Sequence, residues 1–300
     1  MGWAFAALVS AAIFSLVSVL DKRILAVYVP GIRGFYALVG VIQIGMAAVA
    51  ILAAPWQGAS AGALTAAVVS GALWGLVLLL LFYGLRALEV SRAVPFYNTF
   101  PVFVALLSMA FLGERLGVVH WLAILTVIAG AGLSTMGEKA KQGEGNKKLA
   151  YGALLAAALL TAAGTVTSKA ALESMEFWNV FALRSLFLGS VLLLPGLTGE
   201  GRRQALRAAS NLKGLGVIVF TEAILAPLGL YFMLTAFDQG PASLSSTIMS
   251  TRPIFTLLMS ALLSLPFVRL LDEPLTRESL AVKAFSTVLV VGGVGALTLA

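Results

Sequence analysis

Cysteine is absent from the chain and histidine occurs once, at His120. The first absence excludes disulfides, thiolate metal sites and a cysteine nucleophile. The second leaves no His-Glu-x-x-His zinc pattern, and neither a P-loop nor an acid cluster suited to a metal occurs. Charge is scarce as well. Only 11% of the 300 residues are charged and 60% are hydrophobic, against about 25% and about 45–50% in soluble domains. So apolar a chain has too few polar residues to cover a water-facing surface. The net charge is +7, from 20 basic and 13 acidic residues. In this composition the excess reads as basic anchoring of loops at a membrane, not as nucleic-acid binding.

What the chain does have is long apolar runs. A transmembrane helix needs about 20 mostly apolar residues to cross about 30 Å of hydrocarbon. Ten runs meet that need: Trp3–Leu20, Gly34–Ala54, Leu64–Leu85, Ala93–Leu112, Val118–Met136, Leu149–Ser168, Phe177–Leu197, Gly214–Phe237, Ser243–Leu265 and Leu280–Leu299. They are continuously apolar, so they predict helices rather than the alternating strands of a membrane barrel. The first run has no basic stretch before it, and Asp21-Lys22-Arg23 follows it instead of a small-residue cleavage site. It is therefore expected to be a retained helix. The fold class expected is all-α, a polytopic membrane protein.

Four matches, in the same order, relate the two halves. Ala12 to Lys22 recurs as Leu159 to Lys169, offset by 147. Asn98-Thr99-Phe100-Pro101 faces Ser250-Thr251-Arg252-Pro253, offset by 152. Leu112-Gly113-Glu114-Arg115-Leu116 matches Leu271-Asp272-Glu273-Pro274-Leu275, offset by 159, and glycine clusters (Gly130, Gly132; Gly292, Gly293, Gly295) close both halves. This predicts a first five-helix repeat at 1–137, a connecting loop at 138–148 and a second repeat at 149–300. Because five is odd, the second copy must enter the bilayer from the opposite side. Two inverted five-helix repeats around a central site are the architecture of many secondary transporters.

These features resemble EamA-type members of the drug/metabolite transporter superfamily: ten helices, a Lys ending helices 1 and 6, a Pro in helices 4 and 9, and the Gly-Glu-Arg-Leu element at Gly113–Leu116. The resemblance covers essentially the whole chain. It implies a metabolite carrier with no cofactor, and leaves open whether amino acids, sugars, organic anions or toxic metabolites are moved. The second half departs from the pattern with Asp272-Glu273-Pro274. The Arg common near the start of the second helix of each half stands as Arg184 in helix 7, but only as Arg33, just ahead of helix 2.

Three charges fall well inside the runs: Arg184, Glu222 and Arg252. A charge at the bilayer centre costs about 2.5–3.5 kcal/mol on insertion scales, so such residues face a bundle interior or a watered cavity. Two readings follow, a cationic cavity whose guanidinium forks suit carboxylate or phosphate, or a satisfied ion pair locking helices 7, 8 and 9. Candidate substrate-binding residues are Arg184, Arg252, Glu222, Lys22, Lys169, Tyr83, Tyr97, Asn98, Ser250 and Tyr231. Lys22 and Lys169 lie at helix ends, where a long stem can snorkel. Glu222 is a candidate proton carrier. The Ser and Thr residues of helix 9 suit either back-bonding to their own helix or lining a cavity. Gly71-x-x-x-Gly75 allows close helix packing, within one chain or across a homodimer, and the five Trp residues suit interfacial belts.

The reading that results is a secondary transporter for a small polar metabolite, multi-pass in the plasma membrane (a bacterial inner membrane), whose partners are its cargo and lipids, as monomer or homodimer. A flippase for a lipid or lipid-linked sugar is the nearest alternative, and an integral-membrane enzyme the alternative of another class. Orientation is contested. The connections after odd-numbered helices carry 15 Lys and Arg residues against two after even-numbered ones, which puts both termini outside. The resemblance implies both inside. A reporter fused to either terminus separates the two.

Overall fold

The computed structural model describes residues 2–54, 56, 58–87, 97–134 and 147–263, and six positions between 285 and 296. Among the described residues every regular element is helical.

Helix α1 covers Trp3–Arg23 and continues without a break through a π-helical turn, Ile24–Tyr28. It is thus longer than the apolar run Trp3–Leu20 expects. Asp21-Lys22-Arg23 is not the polar flank of the crossing but part of it, because apolar residues resume at Ile24 and helical bonding persists until just short of Pro30, which has no N–H and disfavours helix in the residue before it. Helices α2 (Ile32–Ala53) and α3 (Ala61–Ala87) follow. Helices α4 (Phe100–Phe111) and α5 (Val118–Ser134) are shorter. Helices α6 (Lys147–Leu172) and α7 (Phe177–Leu193) are long again, and Lys147 and Lys148, expected in the connecting loop, begin α6.

The polar stretch after α7 is not an open loop. It folds into a surface helix, α8 (Gly199–Ser210), which Thr198 caps by accepting from the Gly201 N–H. Arg33 pairs with Glu200 at 2.8 Å, and the Gly34 N–H donates to Gln204 at 3.1 Å, tying α8 to the start of α2. Helix α9, Leu212–Gln239, is a single crossing with a π-helical turn at Phe220–Leu225. The turn has a local cause: Pro227 has no N–H to offer one turn back, and its ring crowds the carbonyl there. The ladder widens accordingly, the Ala226 N–H donating to the Thr221 carbonyl. The ninth run is split into α10 (Ala242–Met249) and α11 (Arg252–Leu263).

Six of these helices, 21–28 residues long, are long and apolar enough to cross a membrane; at about 1.5 Å per residue each spans more than 30 Å. They correspond to runs 1, 2, 3, 6, 7 and 8. Runs 4, 5 and 9 appear as the shorter α4, α5 and the α10–α11 pair. Most of run 10, the first residues of run 4 and the end of run 9 lie outside the described residues.

Small residues set the packing. A Cβ on Gly71 would stand 2.5 Å from the Arg184 carbonyl oxygen, and one on Gly75 2.6 Å from Val191. The Gly71-x-x-x-Gly75 face of α3 is therefore buried against α7 of the same chain. Gly40 and Gly189 face each other between α2 and α7, each leaving under 3 Å between a Cβ and the other's carbonyl oxygen. Among lipid-like apolar surfaces, such backbone approach is what makes helix association favourable. The principal interhelix contacts are α3 with α6 and α7, α2 with α7, and α1 with α9 and with α10–α11.

Candidate functional site

Two turns organise the centre of the bundle. Asn98-Thr99 is a turn immediately before α4, and Ser250-Thr251 is a turn between α10 and α11. Each ends in the same bond, Val102 N–H to the Thr99 carbonyl at 3.1 Å and Ile254 N–H to the Thr251 carbonyl at 3.0 Å. Each is followed by a proline at the second helical position, Pro101 and Pro253, where a missing N–H costs nothing because the first turn has no acceptor for it. The paired motifs of the sequence thus fold as paired turns, each leading into a helix.

Between them lies a cavity of about 30 Å³ lined by Trp74, Tyr97, Asn98, Phe100, Thr165, Met233, Phe237, Ser246, Met249 and Arg252, space for about two waters. Arg252, the first residue after its turn, lays its guanidinium 4.4 Å from the centre of the Phe14 ring. Arg184, 3% exposed on α7, lies 4.9 Å over the Trp74 ring. Among the described residues neither meets a carboxylate. The ion-pair reading therefore has no partner here; each cation rests on an aromatic face, an arrangement worth about 2 kcal/mol or more where water is excluded. Their Nε atoms, the Asn98 Nδ2 and the Trp74 Nε1 are buried without a hydrogen-bond acceptor.

Glu222 is elsewhere. It lies in the π-helical turn of α9, where Asp21 of α1 is its acidic neighbour. Asp21, which the sequence reading placed outside the first helix, lies within α1 together with Lys22 and Arg23. Two neighbouring carboxyl groups inside an apolar bundle repel as a pair of anions, which favours one proton held between them, and the π-helical turns in both helices are deformations that recur at functional sites.

The remaining candidates are distributed as follows. Tyr97 and Asn98 line the cavity, with the Tyr97 hydroxyl 3.0 Å from that of Thr161. Ser250 is buried but donates to its own helix, to the Thr247 carbonyl at 2.7 Å. Tyr83 and Tyr231 are 41% and 39% exposed and do not line the cavity; Tyr231 stacks on Trp178 in an outer aromatic cluster. Lys169 donates to the Asp238 carbonyl at a helix end. The side chain of Lys22 lies outside the described residues. His120 accepts from the Gly117 N–H in an exposed turn.

Three features escaped the sequence reading. Trp74, expected in an interfacial belt, is mid-helix under Arg184. Thr165, Met233 and Phe237 complete the wall, and only their helical register marks them. Glu114, from the Gly-Glu-Arg-Leu element, accepts from the backbone N–H groups of Ala242 and Ser243 and from the Ser243 hydroxyl. It caps α10 from the other half of the chain, placing a carboxylate at a helix N-terminus, where the dipole favours it. Elsewhere in α10 the hydroxyls of Ser246 and Thr247 donate to the Ser243 carbonyl, so back-bonding accounts for both, although Ser246 also lines the cavity.

The family model described as the EamA-like transporter family matches residues 1–136 and 148–295. No curated protein matches the chain. Among solved structures, one titled only as the crystal structure of a protein aligns with a TM-score of 0.71 over 99% of this chain and 96% of that one, at 18% identity, a likeness of fold alone.

Proposed function

The chain belongs to the EamA-like transporter family, and from that premise we propose that it is a secondary active carrier, in the plasma membrane (a bacterial inner membrane), that moves a small polar metabolite bearing a carboxylate by alternating access. Arg252 carries the reading: a half-buried guanidinium with its Nε enclosed, at the break between α10 and α11, lining a cavity, with no carboxylate against it among the described residues. A permanent cation kept there without a counter-ion suits a cargo that brings one. Two inverted five-helix repeats, ten helices in all, are part of the proposal. Their support is the two-stretch family match and the equivalent turns at Asn98-Thr99 and Ser250-Thr251. In the described conformation the cavity is too small for a metabolite, so cargo must enter through a state in which one side opens.

The Asp21–Glu222 pair holds the coupling proton in this scheme. Among the described residues each acid's electrostatic partner is the other, and neither lines the cargo cavity.

The test is flux into liposomes containing the purified chain, screened over amino acids, organic acids, phosphorylated metabolites and cationic drugs. Saturable uptake of an organic anion, absent with Arg252→Ala inserted to the same level, is the expected result. Absence of flux for every class, or flux indifferent to Arg252→Ala, would refute the reading.

A further inference from the structure

Helix α8 lies between two crossings. Helix α7 ends at Leu193 and α9 begins at Leu212, so both ends of α8 are held where the chain leaves hydrocarbon and re-enters it. Its inner face is Gly201, Gln204, Ala205 and Ala208, at the spacing of one helix stripe. Gly201 and Ala208 are buried, and α8 lies so close to α2 that a Cβ on Gly34 would stand 2.7 Å from the Gln204 backbone. The outer face carries Arg202, Arg203 and Arg207, all exposed, around Leu206, which is 63% exposed. Lys213, also exposed, follows beside Leu212 at 80%. The acid of α8, Glu200, is already engaged by Arg33 and Gln204. Arg203 donates through Nε to the Gly199 carbonyl in its own turn. Among the described residues Arg202, Arg207 and Lys213 form no ion pair.

The two ends of the bundle differ in charge. Gly214 meets Tyr28 and Gly240 meets Trp3, so α1 finishes where α9 starts. Gly84 meets Leu154, so α6 starts where α3 finishes, and α3 runs parallel to α7, with Gly71 at Arg184 and Gly75 at Val191. Lys148 and Arg33 therefore stand at the end that holds α8, and Glu200 is the acid set against them beyond the crossings among the described residues. At the opposite end the described charges are mostly acidic, with Glu114, Glu173, Glu176 and Asp238 against Arg115 and Lys169.

We infer that the outer face of α8 is a docking surface for anionic phospholipid headgroups. A guanidinium fork matches the oxygens of a phosphodiester. Exposed leucine among the arginines suits the boundary with acyl chains, and the long basic stems reach the phosphate plane from there. Each such cation near an anionic surface adds about fivefold to affinity. The surface is separate from the cargo cavity, whose lining residues include none from α8, and it does not depend on what the cavity carries.

The experiment is thermal unfolding of the full-length purified protein in neutral detergent, titrated with dioleoylphosphatidylglycerol or with dioleoylphosphatidylcholine. A lipid that binds the folded state raises the midpoint. The expected result is a saturable rise with phosphatidylglycerol alone. Half-saturation should need about 100-fold more lipid when Arg202→Gln, Arg203→Gln and Arg207→Gln are combined, whereas the three lysine replacements should keep most of the response. Arg115→Gln, at the opposite end, and Arg252→Ala, in the cavity, should respond as the wild type does. Raising NaCl from about 0.05 to about 0.5 M should weaken binding to the wild type by tenfold or more, a readout that needs no variant. No rise, equal rises with the two lipids, indifference to salt, or an unchanged response in the glutamine variant overturns the inference. A response lost in Arg252→Ala puts the lipid in the cavity and overturns it as well. So does an equal rise with glycerol 3-phosphate, which has the phosphate and no acyl chains.

Discussion

The hydroxyls of Ser70 and Ser168 meet 2.5 Å apart across α3 and α6. The offsets that relate the two halves, 147 and 152, carry Asp21 onto Ser168 and Ser70 onto Glu222. The pair that is neutral between α3 and α6 is therefore acidic between α1 and α9. If the acidic pair carries the coupling proton, Glu222→Gln and Asp21→Asn retain cargo exchange at equal pH but lose accumulation driven by an imposed pH gradient. Proteoliposome uptake with and without the gradient measures both. A wild-type gradient response in Glu222→Gln excludes the coupling role.

Arg252→Ala and Arg184→Ala are expected to insert normally and to lose transport. At Arg252, removing a desolvated charge that meets a charged ligand costs about 2–5 kcal/mol, a fall of about 30-fold or more; at Arg184 the loss acts through Trp74, the cavity-wall ring on which it rests. Arg252→Lys keeps the charge but not the fork and should recover only part of the flux. Membrane-fraction quantity and initial uptake rate, taken together, separate insertion from function. Normal uptake by both alanine variants would contradict the assignment.

At Gly71 a methyl group meets the backbone of α7 at Arg184, which cannot rotate away. Gly71→Ala is predicted to destabilise the protein by about 1–3 kcal/mol and to displace Arg184 from its seat. Gly45 in α2 has nothing within 4 Å of a Cβ, so Gly45→Ala serves as the neutral control. Thermal unfolding in detergent compares them, with a lower midpoint expected for Gly71→Ala alone.

Glu114 ties the two halves together through the N-terminus of α10. Glu114→Ala removes acceptors for two N–H groups and a hydroxyl. Loss of such a cap costs about 0.5–2 kcal/mol, and hydrogen bonds to a charged group contribute at the upper end. The expected signature is a lower unfolding midpoint, with Glu114→Gln intermediate because its amide still accepts. Equal midpoints for all three proteins would rule out the cap as a support of α10.

Much of the bundle is legible in the sequence because hydrocarbon demands continuous apolar runs, and nine of the ten runs carry described helix at their cores. The start of the site is legible too: Arg184, Arg252 and Glu222 are conspicuous for their cost in a membrane, and Asn98 and Ser250 for their repeated motif. Asp21 is not, because it stands where apolar character lapses for three residues and then resumes, so it reads as a helix end. Trp74 is hidden by composition: tryptophan is common at interfaces, and only the contact with Arg184 shows its place. The partner of Glu114 lies 128 residues away, a separation no local pattern encodes. Tyr83 and Tyr231 failed to reach the cavity for the converse reason, since an aromatic residue on an all-apolar helix carries no sign of which face is inward.

The most direct test of the central claim is labelling from the two sides of the membrane. The chain has no cysteine, so Ser246→Cys places a single thiol in the cavity wall without altering the native background. A membrane-impermeant thiol reagent, applied to one side at a time in oriented vesicles, should modify that thiol from either side, and transported anion should slow both reactions. Modification from one side only, under every condition, would contradict a cavity that opens alternately to each side.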